Sequence, residues 1–414
     1  MAGFPDIRID GDHVERLIMD LGMIGAYGDT GVWRTAYSPE WVRANDLFRD
    51  WSRAAGLAVR TDEAGNCWAR LEGAASGKSI VSGSHIDTQR PGGRYDGALG
   101  IIAAFVAVKA LKEQFGQPRR TLEVVSLCEE EGSRFPSAGF WGSRAITGSI
   151  GANETTTVTD FEGKPIADAM RAIGLDPAAL AKAQRDDIEV FIELHIEQGP
   201  VLEHAGRSAA IVDAITGIRH TRVKLIGVQN HAGAFPMDLR TDPMAGFAEI
   251  ASGLIDTAHR MGRPAVTTIG TCTVDPGGAA VIPRSVEFVI DARHPDPAAY
   301  KTLHETHERF VREVAARRRL EVEFKIMLDK EPCPCAPEVL RILDRVARHQ
   351  GLDAMTMASG AGHDSQQMAK RSKVAMVFVR SKDGRSHTPE EFSSIPDIVD
   401  GIRLLAGALH ELAY

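Results

Sequence analysis

No apolar run in these 414 residues approaches the roughly 20 needed to cross a bilayer. Positive charge is in the minority, with 48 Lys and Arg against 56 Asp and Glu for a net charge of −8. That balance argues against nucleic acid or an anionic membrane as the main partner. The stretch Met1 to Asp10 carries acidic residues and no apolar h-region, so no secretory signal is expected there. Cysteine is scarce, odd in number and scattered: Cys67, Cys128, Cys272, Cys333 and Cys335. This is no disulfide framework, and it points to reduced thiols in a cytoplasmic protein. Cys333-Pro334-Cys335 is the only close pair, and it lacks a second pair at zinc-site spacing. It reads as a loop with two ordinary thiols. No repeat of solenoid period is visible.

What is present is an ordinary globular composition, 43% apolar and 25% charged. The length is too great for one compact core, so two domains are expected. Residues 41–60 read as a helix and a strand, 78–84 as a strand, 98–114 as an apolar helix, and 121–128 and 188–195 as strands. Strands alternating with helices point to an α/β fold with a mixed, mostly parallel sheet covered on both faces. The middle of the chain reads differently. A strand over 209–227 is followed by a helix over 242–262, strands at 265–274 and 285–293, a helix over 297–318 and a strand at 320–328. Asp242-Pro243 and Asp296-Pro297 open the two helices as cap and first turn. This β-α-β-β-α-β order is the ferredoxin-like pattern. The expected organisation is a discontinuous domain, residues 1–212 and 330–414, interrupted by an α+β insert at 213–329. The insert is a candidate lid or dimerisation domain. The chain then returns to α/β, with a helix at 337–350, a strand at 373–379, a loop at 380–390 and a C-terminal helix.

Two stretches carry the chemistry. Gly83-Ser84-His85-Ile86-Asp87 follows one apolar run, and Glu129-Glu130-Glu131-Gly132 follows another. Both place side chains where strands end, at the sheet edge where open α/β folds bind ligands. Five residues in such positions can ligate a metal: His85, Asp96, Glu131, His195 and His387. A set of imidazoles and carboxylates with one bridging Asp would hold two divalent cations, about 3.5–4 Å apart in such sites. Asp87 is placed to hydrogen-bond the His85 ring. Glu130, beside the ligand Glu131, suits a general base that takes a proton from water and returns it to a leaving nitrogen. A lone His beside a strand is more often structural, and three Glu in a row are more often a solvated face. Here the triplet follows a buried-looking strand and precedes Gly132-Ser133-Arg134-Phe135, which weakens the solvated-face reading.

Taken together, Gly83 to Thr88, Gly93-Arg94-Tyr95-Asp96-Gly97, Glu129 to Phe135, His195-Ile196-Glu197-Gln198-Gly199-Pro200, Asn230-His231-Ala232-Gly233, Ser359 to Asp364 and Ser386-His387-Thr388-Pro389 resemble the hydantoinase/carbamoylase family of amidases. That family belongs to the wider di-zinc aminoacylase and carboxypeptidase group. The resemblance runs from about residue 10 to the C-terminus. It implies that His85 and His195 hold one metal and Glu131 and His387 the other, with Asp96 bridging and Glu130 as base toward a water between the metals. It implies that Gln198 contacts the amide or ureido group and that the backbone around Gly362 lines the pocket. His231 would stabilise the oxyanion, reaching across a homodimer, and Arg293 would grip the substrate carboxylate. The implied reaction is hydrolysis of a linear, non-peptide C–N bond in a small N-carbamoyl or ureido acid. The alternatives are hydrolysis of N-acyl amino acids or dipeptides and, more remotely, a catalytically silent metal-binding protein. Zinc is the default metal, with manganese, cobalt and nickel suited to the same donors. The chain departs from the family at Ala280, before Val281-Ile282-Pro283, where an Asn commonly helps hold the carboxylate.

Overall fold

The computed structural model describes residues 5–414. The chain divides into two compact units, one running to Asp213 and continuing over Cys335–Met357 and Gly362–Tyr414, the other comprising Ala214–Pro334 with Ala358–Ala361. In chain order the main strands are β1 (Ala58–Thr61), β2 (Cys67–Leu71), β3 (Ser79–His85), β4 (Leu122–Leu127), β5 (Ile188–Ile196) and β6 (Ala209–Ile215). Then come β7 (Gly217–Ile226), β8 (Val266–Asp275), β9 (Ser285–His294) and β10 (Glu321–Lys330), and finally β11 (Lys373–Val379).

The first unit is built on a sheet in the order β6-β11-β5-β3-β4-β2-β1. Its centre, β11-β5-β3-β4, is parallel. Its flanks, β6 on one side and β2 and β1 on the other, are antiparallel. Every residue of β3 and β4 is buried, as are all of β11 but its first residue. Such strands show no alternation because both faces are covered. The Ala98–Phe115 helix is apolar on nearly all sides for the same reason, and it packs against the sheet and the C-terminal Ile395–Ala413 helix. Truncating one of its fully buried side chains, such as Leu99, to Ala would cost about 2–5 kcal/mol.

The second unit is a four-stranded antiparallel sheet, β8-β9-β7-β10. Its two long helices, Pro243–Met261 and Pro297–Arg317, contribute Ile250, Leu254, Leu303, Val311 and Val314 to one core with Val223, Leu225, Phe288 and Ile290 of the sheet. Strand β9 alternates strictly between buried and half-buried residues, as a sheet packed on one face requires. The Asp242 and Asp296 carboxylates cap the helices as the Asp-Pro pairs suggest, accepting from Met244 N and Ala299 N.

The expected single strand at 209–227 is two strands. The chain changes sheet at Thr216–Gly217, where Gly217 lies so close to Pro332 that a Cβ would sit 2.6 Å from its ring. Ile215, Thr216, Gly217 and Ile218 are all buried, so the pattern carries no mark of the break. Among the described residues no helix is long and apolar enough to cross a membrane.

Candidate metal centre and active site

The four parallel strands end on one edge of the sheet, and each end delivers chemistry. Strand β3 stops at His85, β5 passes His195 one residue before its end, β4 runs into Glu129-Glu130-Glu131, and β11 leads to the loop carrying His387. Asp96 lies just ahead of the Ala98–Phe115 helix. Three non-glycine residues here, Glu129, Gln198 and His387, have φ between 50° and 59°. Left-handed backbone at such residues is uncommon and tends to collect at functional sites.

The expected metal ligands form two clusters that share one carboxylate: His85, Asp96 and His195, and Asp96, Glu131 and His387. His195 Nε2 lies 3.1 Å from Asp96 Oδ1, and His85 Nε2 lies 3.7 Å from the same oxygen. On the other side His387 Nε2 is 3.3 Å from Asp96 Oδ2 and 3.5 Å from Glu131 Oε2. Two of the rings are aimed by backbone carbonyls. His85 Nδ1 bonds Asp87 O at 3.0 Å and His195 Nδ1 bonds Ile196 O at 2.9 Å, leaving each Nε2 toward the centre. Glu130 Oε2 stands 3.7 Å from His85 Nε2. Gly97 lies against the His85 ring with φ of 63°, and a Cβ there would fall 2.3 Å from His85 Cε1. No larger residue fits.

Asp87 supports the centre differently from the expectation. Its carboxylate oxygens accept the backbone N–H groups of Glu130 and Glu131, at 3.3 and 3.2 Å, and so shape the glutamate turn. Its backbone carbonyl, not its carboxylate, takes the His85 ring bond. Gln198 donates through Nε2 to Asp96 Oδ2 at 3.0 Å and to Ser386 Oγ at 2.9 Å. Three supports had no signal in the sequence. Gln89 Nε2 donates to Glu131 Oε2 at 2.8 Å. Glu193 binds Ser84 Oγ and Ser365 Oγ, each at 2.8 Å, beneath the His195–His363 ring pair. Glu391, buried four residues beyond His387, accepts Tyr95 N and Asp96 N at 2.7 and 2.8 Å. It thereby ties the His387 loop to the Asp96 loop.

The electrostatics suit cations. Burial, with the neighbouring Glu131 and Asp364, pushes the Glu130 carboxyl well above the usual carboxylate range. Burial and Asp96 push Glu131 up to about 7. Burial opposes charge on Asp96, but hydrogen bonds from His195 and His387 outweigh it and hold Asp96 well below its usual value. The Asp96 bond raises His387 to about 9, and His195 reaches about 9 against the opposing effect of its burial. Glu131 Oε1 is buried with no hydrogen-bond partner among the described residues. Crowded carboxylates, imidazoles aimed by carbonyls and an orphaned carboxylate oxygen fit a pair of divalent cations.

In the second unit, His231 is exposed, and its Nδ1 accepts from Gly233 N and Ala234 N, both at 3.1 Å. That bond pattern places the ring proton on Nε2. Arg293 is paired with Asp291 and bonded to Gly360 O. Gly362 follows that segment and lies near Gln366 and Phe140.

The sequence profile of Peptidase family M20/M25/M40 matches residues 81–411. The allantoate amidohydrolase of Escherichia coli (strain K12) is 39% identical over 402 residues, covering 97% of this chain and 98% of that protein. The N-carbamoyl-L-amino acid amidohydrolase of Geobacillus stearothermophilus is 36% identical, covering 98% and 99%. The crystal structure of a hydantoinase/carbamoylase family amidase from Burkholderia multivorans superposes with a TM-score of 0.91 at 30% identity, covering 99% of each chain. The chain therefore belongs to the M20/M25/M40 peptidase family, among its hydantoinase/carbamoylase amidases.

Proposed function

We propose that this protein is a metal-dependent amidohydrolase that cleaves a linear, non-peptide C–N bond in a ureido or N-carbamoyl acid. The observation that carries this reading is the pair of ligand clusters sharing Asp96, with the Glu130 carboxylate beside them. The whole-length likeness to allantoate and N-carbamoyl-L-amino acid amidohydrolases supports the substrate class. His85 and His195 would hold one cation and Glu131 and His387 the other, with Asp96 shared between them. Two divalent cations, when bound, polarise the scissile carbonyl and lower the pKa of water. Zinc suits the donors, as do manganese, cobalt and nickel.

The chain's own groups do the rest. Glu130 takes the proton from the attacking water and delivers it to the leaving nitrogen, a role that matches a carboxyl held above its usual range by burial and Glu131. Gln198 has its Nε2 committed to Asp96 and Ser386, which leaves its carbonyl oxygen for a substrate N–H. His231, a neutral Nε2–H donor, stabilises the oxyanion from the partner subunit of a homodimer. Arg293 grips the substrate carboxylate. Ala280 offers no side-chain donor to share that task. Five free cysteines support residence in a reducing cytoplasm.

The test is a substrate panel on the metal-reconstituted enzyme. It comprises N-carbamoyl α- and β-amino acids, allantoate, ureidoglycolate and N-acyl amino acids, with ammonia measured. Ammonia from a ureido acid is expected. Turnover confined to N-acyl amino acids would reject the substrate class. Mixing Glu130→Gln with His231→Ala protein tests the shared site, since hybrid dimers should regain activity that neither variant has.

A further inference from the structure

A guanidinium has five N–H groups, and the structure accounts for three of those on Arg293. Nε and Nη2 donate to the two carboxylate oxygens of Asp291, at 2.9 and 2.8 Å. Nη1 donates to Gly360 O at 2.9 Å. Among the described residues, one N–H on Nη1 and one on Nη2 remain without a partner. Asp291 and Arg293 are two apart on β9, so both side chains leave the same face of the sheet. Asp291 is also approached from the next strand, without a hydrogen bond. His220 of β7 lies directly opposite it in register, with Nε2 3.3 Å from Asp291 Oδ2. A line of contacts therefore runs from His220 through Asp291 and Arg293 to the Gly360 carbonyl.

We infer that Asp291, with His220 behind it, is a positioning residue that fixes the Arg293 guanidinium so that its two remaining N–H groups form one ready-made seat for a single carboxylate. The inference rests on the reading of Arg293 as the substrate's carboxylate anchor. An arginine side chain carries about 2 kcal/mol of rotamer entropy, and holding it in place beforehand removes that cost from binding. The Asp291 charge also offsets much of the attraction Arg293 would exert on any anion. Affinity then comes from two directed hydrogen bonds, which match the planar oxygens of a carboxylate. Both members of the pair are partly solvent-exposed, and such pairs contribute little to stability, so the role can be separated from folding.

The experiment measures kcat and KM of Asp291→Ala, Asp291→Asn and Arg293→Ala, with melting temperatures as a check on the fold. The substrates are the ureido acid turned over fastest in the panel above and its primary carboxamide. Arg293→Ala should raise KM for the acid about 100-fold, and Asp291→Ala about 10-fold with kcat within about threefold of the parent, the pattern of lost uniform binding. Asp291→Asn keeps one acceptor oxygen and should fall between Asp291→Ala and the parent. KM for the carboxamide should stay unchanged in all three. If Arg293→Ala raises the acid KM while both Asp291 variants leave it unchanged or lower it, the positioning role is overturned and the anchor stands. If Arg293→Ala leaves it unchanged, the anchor itself is overturned. Equal changes for acid and carboxamide would mean general damage and would also overturn the inference. Asp291→Asn decides the question should Asp291→Ala fail to fold.

Discussion

The two halves of the candidate metal centre share Asp96 yet stand in different surroundings. His85, Asp96 and His195 are all buried, and both histidines sit at the ends of central strands. In the other half, His387 exposes 50% of its side chain and comes from a loop, with φ of 57°. A ligand at the end of a buried parallel strand inherits the rigidity of the sheet. One on a loop depends on the contacts of that loop, here chiefly the Glu391 clamp on Tyr95 N and Asp96 N. The two halves are therefore not expected to exchange alike, and the open half is expected to lose its cation first.

The largest expected effect tests whether Glu130 belongs to either half as a ligand. Glu130→Gln should lower turnover about 10³-fold, the scale of lost general acid–base catalysis, while elemental analysis still finds both cations. Loss of one cation would make Glu130 a ligand and break the division. Next, His195→Ala and His387→Ala should differ. The first should unsettle both cations and lower the melting temperature. The second should remove one cation and leave the melting temperature near that of the parent. Identical behaviour would erase the contrast. The third test acts through the clamp. A Cβ at Gly93 would fall 2.2 Å from the Glu391 carboxyl, so Gly93→Ala should weaken the open half while His85 and His195 keep their metal in a chelator titration.

The smallest effect is on pH dependence. His195 and His387 both lie near 9 in the metal-free protein, so each must release a proton on metal uptake. Both folded values lie above the unfolded value of about 6.5. The charged histidines therefore stabilise the metal-free fold fully below about pH 6.5, and that contribution is lost as pH rises through about 9. Burial raises Glu131 to about 7 and Glu391 to about 8, which pulls in the same direction. The melting temperature of metal-free protein should fall from pH 6.5 to 9.5. Metal affinity should rise over the same range, because the ligands must be deprotonated. Calorimetry at three pH values checks both.

This contrast also marks what the sequence discloses. His85 and the Glu129–Glu131 triplet follow β-branched runs, so their position at strand ends is legible from local pattern. His195 closes an alternating strand and is legible for the same reason. Asp96 and His387 are different. Their side chains meet at 3.3 Å across 291 positions of chain, a closeness set by tertiary folding and suggested only by family resemblance. Glu391 has no signal in the sequence, because burial of a carboxylate against two backbone N–H groups leaves no periodic trace. The change of sheet at Thr216–Gly217 is hidden because buried residues run unbroken from Ile215 to Ile218 across it. Short-range signals thus locate strands and their ends, while loop-to-loop stitching appears only in three dimensions.

One consequence follows from the way the chain leaves and re-enters the first unit. Just before Gly217, Ile215 pairs with Cys333 and Ala214 with Pro334, so the outgoing and returning segments run side by side. Two strands joined at neighbouring points can be closed by a short turn at little entropic cost. The intervening hundred-odd residues are, in topological terms, a cassette. Such a graft point lets the inserted residues be exchanged by recombination without disturbing the order of the strands that carry the candidate metal ligands. The two units can then diverge at separate rates along one gene.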